Sequence, residues 1–210
     1  MVKTLAISKS ITTMEEIEQK FNLLPTSNDQ FFTEWFQELP ELTDEEKLAL
    51  DKIHQRFFRH RKRGELAEGT VNLLLVSPLL ELAGFFDEPF FISTESQVEI
   101  ILEDHDEILR GRIDTLVIHQ KLWVLVVESK RSISMEAAIP QALTYMMGNP
   151  NPEKPVYGLV CDGSLFMFIK VLAQDPPQYD FSDTFSLLLL RQNKLYEILS
   201  VLKRIGSAIA

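Results

Sequence analysis

Hydrophobic and polar residues follow two different rhythms along this chain, and together they predict a mixed α/β protein. The middle of the chain carries two apolar runs, Arg112–Ile118 and Leu122–Val127, separated by three polar residues, of which we expect His119 to lie at the surface of a turn. Runs rich in Val, Ile and Leu that flank a short polar segment are typical of paired β-strands. The second run is apolar on both faces, which predicts a central strand covered by helices on each side.

Further strands are expected on either side of this pair. Phe90–Ser93 and Gln97–Glu103 precede it, and residues 104–107 form an acidic hairpin turn. Val156–Cys161 and Leu165–Leu172 follow it, and the Asp-Gly pair between them predicts a hairpin turn of type I′. The single cysteine falls inside an apolar strand pattern, so we interpret it as a core thiol.

Helical patterns occupy both ends of the chain and the segments around the strands. Two start with a capping-box pattern, at Thr12 or Thr13 and at Thr43. The predicted helices cover residues 12–24, 29–39, 44–63, 65–84, a segment containing Gln141, and 192–205. This order predicts an α/β fold in which a mixed central β-sheet is flanked by helices. We expect residues 1–63 to be an N-terminal helical extension and residues 64–210 to be the main domain.

Three charged residues interrupt the apolar strands. Asp114 lies inside the first strand, and Glu128 and Lys130 lie at the end of the second. A carboxylate among apolar neighbours is unfavourable unless it is paired or binds a metal. With three or five residues in the hairpin loop Asp114 would face Glu128, whereas with two or four it would point away. Two simpler interpretations stay open: Asp114 pairs with Arg112 or caps a turn, and Glu128 and Lys130 form a surface ion pair.

The spacing of these residues resembles the catalytic signature of the PD-(D/E)xK nucleases. Asp114 is followed after thirteen residues by Glu128-Ser129-Lys130, and Ile113 stands where the family name has proline. Carboxylates bind hard divalent cations such as Mg²⁺ through oxygen.

A second motif extends the resemblance to one branch of that family. Gln141 and Tyr145 form a Q-x-x-x-Y, as in RecB-like nucleases and in the nuclease domain of type I restriction motor subunits. The segment from Glu68 to Gly84 is similar to the helix that precedes the nuclease strands in those subunits. No GxxxxGK[ST] motif is present, so the chain resembles a motor-less relative of these nuclease domains.

The resemblance implies a Mg²⁺-dependent nuclease, with Mn²⁺ as a substitute, that hydrolyses DNA phosphodiester bonds. It implies that Asp114, Glu128 and the Ser129 carbonyl bind the metal and that Lys130 positions the attacking water. It implies that Gln141 and Tyr145 orient the substrate or the metal shell, and that Glu68, with Glu65 as the alternative, is an outer ligand of the metal. A second hypothesis is a catalytically silent module that keeps the fold and binds nucleic acid or protein, and a third is a metal-binding fold that acts on RNA or nucleotides.

The charge of the chain restricts how it would meet DNA. The formal net charge is −10, whereas proteins that bind DNA alone are usually basic. A dense basic run near the end of the third helix is the candidate nucleic-acid-binding surface, comprising Arg59, Arg61, Lys62 and Arg63. The same cations would also be favourable at a helix C-terminus for purely electrostatic reasons.

Aromatic residues in the second predicted helix offer another surface. Phe31, Phe32, Trp35 and Phe36 would form one stripe, which either packs on the chain itself or contacts a partner subunit or a second copy. No apolar run is long enough to span a bilayer, and no signal peptide is apparent. From the sequence we therefore expect a cytoplasmic protein without membrane contact.

Overall fold

A computed structural model describes residues 3–102, 106–119, 122–129, 135–189 and 191–209. For residues 122, 124–129 and 135–137 it describes the backbone alone. The helices are α1 Ile7–Ser10, α2 Met14–Phe21, α3 Asp44–Arg61, α4 Glu68–Val71, α5 Ser77–Leu82, α6 Met135–Met147 and α7 Leu195–Ile209. A π-helical turn, Asn72–Val76, joins α4 to α5.

The strands of the described residues form one mixed sheet. They are β1 Lys3–Ala6, β2 Leu24–Pro25, β3 Phe90–Leu102, β4 Glu107–His119, β5 Leu122–Ser129, β6 Val156–Cys161, β7 Leu165–Leu172, β8 Gln178–Phe181 and β9 Phe185–Ser186. The order is β1–β4–β5–β6–β7–β8–β2, with β3 also paired to β4 and β9 to β7. The pairs β1–β4, β5–β6 and β2–β8 are parallel, and the others are antiparallel. The expected mixed α/β architecture is confirmed.

Two hydrophobic cores lie on opposite faces of this sheet. Alternate residues of β6 divide between them, with Tyr157, Leu159 and Cys161 in the first core and Val156 and Val160 in the second. The first core is closed by α3, by the segment from α4 to α5, and by α7. The second core is closed by α1, α2 and α6. Helices therefore cover the central strands on both sides, as the doubly apolar pattern predicted.

Several local expectations are also confirmed. Thr13 and Thr43 each form a capping box with the glutamate three residues later, so α2 and α3 begin where the sequence predicted. The last helix also forms, and the apolar residues that its 3.6-residue period places on one face are fully buried: Leu195, Ile198, Leu199, Leu202 and Ile205. Cys161 is buried and unpaired, and burial raises the pKa of its thiol. Within the described residues no helix is long and apolar enough to cross a membrane.

The hairpin of β4 and β5 reaches its register through a bulge. His119 pairs with Leu122, which leaves a two-residue turn, and that loop length alone would have turned Asp114 away from Glu128. A register shift between Val117 and Ile118 then adds one residue on the β5 side. Thr115 consequently pairs with Val127, and the same register continued by one step would set the backbone positions of Asp114 and Glu128 opposite each other.

The two strands predicted before β4 are one continuous strand with a kink. Glu95 adopts φ 52° and makes no ladder pair, although Thr94 and Ser96 on either side pair with Thr115 and Ile113. The kink exchanges the faces of the strand: Ile92 packs with the first core and Val98 with the second. Asp114 stands level with Glu95 on the neighbouring strand, so the distortion marks the position of the candidate carboxylate.

Three sequence expectations were wrong. Residues 29–39 form turns, not a helix, and Phe31, Phe32 and Trp35 pack on the first core while Phe36 stays exposed. His119, expected at the surface of a turn, is buried against Phe90 with 5.6 Å between ring centroids. The turn between β6 and β7 is not type I′, because Gly163 has positive φ but Asp162 does not.

The N-terminal range also differs from the helical extension that the sequence suggested. Within residues 3–61, β1 and β2 add strands to the common sheet through pairing with β4 and β8. The helix α3 contributes Leu50, Ile53 and Phe57 to the first core. The division of the chain at residue 63 stays a prediction. The residues on both sides of it contribute to the same sheet and to the first core.

Candidate active site

Beside Asp114 the sheet has a gap, because β1 and β5 pair with different parts of the same edge of β4; we call this gap the fork. β3 pairs with one edge of β4 along its whole length, so β1 and β5 must share the opposite edge. On that edge β1 pairs with β4 from Glu107 to Arg110, and β5 pairs from Thr115 to His119. Among the described residues, 111–113 therefore pair with neither β1 nor β5 on this side. The C-terminal ends of β1 and β5 point toward this gap from opposite directions.

A cleft of about 1070 Å³ lies at the fork and contains four of the residues predicted from the motifs. Glu68, Asp114, Gln141 and Tyr145 all line it, although they come from α4, β4 and α6. The rest of the wall consists of Ala6, Ser8, Glu95, Gln97, Val98, Glu99, Arg110, Gly111, Arg112 and Ile113. The four predicted residues, which are up to 77 positions apart in sequence, thus meet in one cavity.

Gln141 and Tyr145 form the inner wall of the cleft. They are one helical turn apart on α6, and the Gln141 Nε2 donates a hydrogen bond of 2.9 Å to the Tyr145 hydroxyl. Both side chains are buried. The Tyr145 ring lies directly on the backbone of Gly111: a Cβ there would stand 2.6 Å from Tyr145 Cε1. Glycine at 111 therefore gives the tyrosine the space to reach the unpaired edge of β4.

Glu68 is the first residue of α4 and borders the cleft from the other side of the fork. The alternative candidate, Glu65, is exposed and does not belong to the described cleft wall. The helix continues past Glu68 through the π-helical turn, in which the Ser77 N–H bonds to the Asn72 carbonyl. Pro78 lacks an N–H and its ring would clash with the carbonyl four residues earlier, which favours a widened turn at this point.

The described residues include only part of the predicted metal-binding set. The side chains of Glu128 and Ser129 lie outside the described side chains, and Lys130 lies outside the described residues. The β5 backbone is described, and it pairs Glu128 with Val160 and Ser129 with Cys161. Among the side chains that are described, no three His, Cys, Asp or Glu residues lie close enough to hold a metal ion.

Two arginine–glutamate pairs form the rim of the cleft, and sequence reasoning missed them. Arg110 Nε lies 2.6 Å from Glu99 Oε2, and Arg112 Nη1 lies 3.1 Å from Glu95 Oε2. All four side chains are largely exposed. The sequence shows only two glutamates four residues apart in β3 and two arginines two residues apart in β4. The register places Glu99 directly opposite Arg110, whereas Arg112 stands opposite Gln97 and reaches Glu95 on the diagonal.

The predicted basic run divides into outward and inward side chains. Arg59, Lys62 and Arg63 are exposed. Arg61 is half-buried, donates a hydrogen bond to the Ser164 hydroxyl, and holds its guanidinium 5.9 Å above the Phe57 ring. Arg61 therefore has a structural partner inside the fold, and its predicted role as a phosphate contact is not favoured by this geometry.

No known protein-family model matches this chain, and no significant match is found among curated proteins. The nuclease resemblance therefore depends on the motif residues themselves and on the cleft in which four of them meet.

Proposed function

We propose that this chain is a Mg²⁺-dependent nuclease that hydrolyses DNA phosphodiester bonds at the fork between β4 and β5. The observation that carries the proposal is the convergence of Glu68, Asp114, Gln141 and Tyr145 in one cleft. These residues were selected from sequence motifs without regard to a structure. A surface ion cluster of unrelated origin would not require a glutamine–tyrosine pair buried beside it.

The donor chemistry of the proposed metal site suits a hard cation. Asp114, Glu128 and the Ser129 carbonyl offer only oxygen, which Mg²⁺ and Mn²⁺ prefer. The register supports the pairing of the two acidic positions, because the β5 bulge brings the Glu128 backbone level with Asp114. When bound, the cation would polarise the scissile phosphate and lower the pKa of a water molecule.

The remaining residues act on the substrate or on the position of these groups. Lys130 orients the attacking water and stabilises the negative charge that develops on the phosphate. The hydrogen bond between Gln141 and Tyr145 fixes both polar ends at the cleft wall, where they orient the substrate or the metal shell. Glu68 supplies an outer carboxylate from the opposite wall.

Cleavage of linear and circular plasmid DNA in Mg²⁺ tests this proposal. Wild-type protein should cut, whereas Asp114→Asn, Glu128→Gln and Lys130→Ala should each lose about 100-fold or more of the activity. Glu153→Gln, an exposed loop substitution outside the cleft wall, is the matched control and should cut normally. Equal cleavage by wild type and Asp114→Asn after identical purification would show that the activity comes from elsewhere.

The alternative candidate is a catalytically silent binding module with the same fold. The observation that favours it is the net charge of −10, which opposes the approach of a polyanion. Such a module would cut no DNA in Mg²⁺ or Mn²⁺, and if its partner is a protein it would also bind no DNA at 50 mM salt. A protein partner, including a second copy of the chain, would then be sought by sedimentation and pull-down.

A further inference from the structure

Four cations form a stripe along the exposed face of α3 and the turn that follows it. Lys52, Arg56 and Arg59 follow one another at spacings of 4 and 3 residues, which places them on one side of the helix, and Arg63 lies two residues past the last residue of α3. All four side chains are exposed, and three of them line a shallow groove of about 290 Å³ with Gln55. The buried residues of α3, including Leu50, Ile53 and Phe57, occupy the other side.

The stripe has little local charge compensation. No residue from 52 to 64 is acidic. Among the described residues, the side chains of Lys52, Arg56, Arg59 and Arg63 form no ion pair or hydrogen bond. The nearest acid on the helix, Asp51, accepts hydrogen bonds from Asn193 and Tyr196 instead.

The helix dipole explains only part of this arrangement. Cations are favourable at the C-terminus of a helix, which accounts for Arg59 in the last turn of α3 and for Arg63 just past it. The dipole effect does not extend to Lys52 and Arg56, which lie further from the C-terminus. Because exposed charges are screened beyond roughly 8–10 Å, the distant acids that give the chain its net charge of −10 have little effect at the stripe.

The stripe leads along the chain toward the cleft. From Lys52 to Arg63 it spans about 16 Å, or the rise of about five base pairs of duplex DNA. Only four residues separate Arg63 from Glu68, so these two positions lie within about 18 Å of each other at full extension. Glu68 borders the cleft at the fork. A duplex of about ten base pairs would be long enough to reach both.

We propose that Lys52, Arg56, Arg59 and Arg63 bind the phosphate backbone of duplex DNA and direct it toward the cleft. This inference rests on the proposed nuclease function, because it assigns the partner of that same site. The stripe differs from the basic residues that the sequence predicted as the DNA contact. Arg59 and Arg63 belong to both sets, Lys52 and Arg56 belong to the stripe alone, and Arg61 and Lys62 are not part of the stripe. The stripe contacts the backbone alone and therefore carries no preference for base sequence.

The test is the salt dependence of binding to a labelled 25-base-pair duplex in EDTA, where cleavage cannot occur. Each phosphate contact contributes about 0.9 to the slope of log affinity against log salt. The quadruple variant K52Q/R56Q/R59Q/R63Q should therefore bind with a slope reduced by about 3 to 4. The matched control changes the same number of exposed cations outside the stripe, namely Lys3, Lys62, Lys154 and Arg191 to Gln, and should reduce it by less than 1.

Equal slopes for the two quadruple variants would overturn the proposal, and so would a wild type that binds no duplex at 50 mM salt. Far-ultraviolet circular dichroism and the urea midpoint verify that both variants stay folded. Cleavage in Mg²⁺ is measured separately. Cleavage with an unchanged slope would refute the stripe alone, whereas stripe-dependent binding without cleavage would refute the nuclease proposal alone.

Discussion

Replacement of Gly111 by alanine tests the packing that builds the inner wall of the cleft. An added Cβ would lie 2.6 Å from Tyr145 Cε1, 2.8 Å from the Tyr145 hydroxyl and 3.1 Å from Ile7 Cδ1. The first two distances are shorter than a carbon atom tolerates, and the tyrosine ring is stiff and buried. The ring must therefore move, and its hydrogen bond with Gln141 moves with it.

The magnitude follows from two opposing terms. Overpacking of a well-packed core costs about 1–3 kcal/mol. Alanine restricts the unfolded chain more than glycine does, which returns about 0.5–1 kcal/mol. We therefore expect Gly111→Ala to lower the free energy of unfolding by about 1–2 kcal/mol. In a Tyr145→Leu background, which removes the clashing ring edge, the same change should be neutral or slightly stabilising.

Urea denaturation of the four proteins in this double-mutant cycle measures both effects and their coupling. Gly158→Ala is the matched control, because its added Cβ would lie 2.8 Å from Sδ of Met146, the mobile end of a flexible side chain on the same helix. It should cost less than Gly111→Ala. An equal cost of Gly111→Ala with tyrosine or leucine at 145 would refute the reasoning, since the ring would then not be what the new methyl group meets.

Three further predictions concern the fold around the site. Lys170→Met should lower the free energy of unfolding by about 3 kcal/mol, because it removes the cation 2.6 Å from the largely buried carboxylate of Glu34. In urea denaturation, the double variant with Glu34→Gln should lose clearly less stability than Lys170→Met alone. Equal losses would contradict this prediction. Burial alone would raise the pKa of the Glu34 carboxyl. Hydrogen bonds from Lys170 and Tyr157 have the larger combined effect and hold this pKa below its ordinary 4.5. The contribution of Glu34 to stability is therefore present above pH 4.5 and lost as pH falls through the folded pKa. In Glu34→Gln the free energy of unfolding should therefore fall less steeply toward acid pH than in the wild type. Equal steepness in the two proteins would exclude this. Glu95→Gly should raise the thermal midpoint of unfolding, because φ 52° costs a residue with a Cβ about 1 kcal/mol. The control Asn22→Gly, at φ 49°, should change the midpoint little. A lower midpoint for Glu95→Gly would show that its ion pair with Arg112 matters more than the backbone strain.

Hydrophobic periodicity was sufficient for the central strands and for most helices, whereas β1, β2, β8 and β9 were not predicted. The strands β4 to β7 and the helices α2, α3, α6 and α7 all lie where alternation or the 3.6-residue period predicted them. Capping boxes located two helix starts. These are local signals, and the apolar faces that they mark are the faces that the two cores bury.

Residues 29–39 show how tertiary contacts override a local pattern. The segment has helical spacing of aromatic residues, which favoured a helix. In the fold, Lys170 Nζ donates to the Phe31 carbonyl at 2.6 Å and to the Glu34 carboxylate at 2.6 Å. The Phe31 carbonyl is thereby bound to a side chain 139 positions away. No window of local sequence contains that partner.

The candidate site was predictable in its residues but not in its shape. Spacing singled out Asp114, Gln141 and Tyr145 before any geometry was known. The fork depends on β1, which takes part of the β4 edge, and on the bulge that brings Glu128 level with Asp114. Both are choices of pairing partner and register, which the apolar pattern leaves open. The kink at Glu95 likewise has no local signal, since glutamate rarely adopts positive φ.

Binding of Mn²⁺, followed by the loss of its free electron paramagnetic resonance signal, tests the central claim most directly. It needs no DNA and no turnover, and Mn²⁺ accepts the same oxygen ligands as Mg²⁺. The wild type and the Glu153→Gln control should bind the ion, and Asp114→Asn and Glu128→Gln should each weaken binding by at least about 10-fold. Equal binding by wild type and both variants, or none by wild type, would contradict a metal site at the fork.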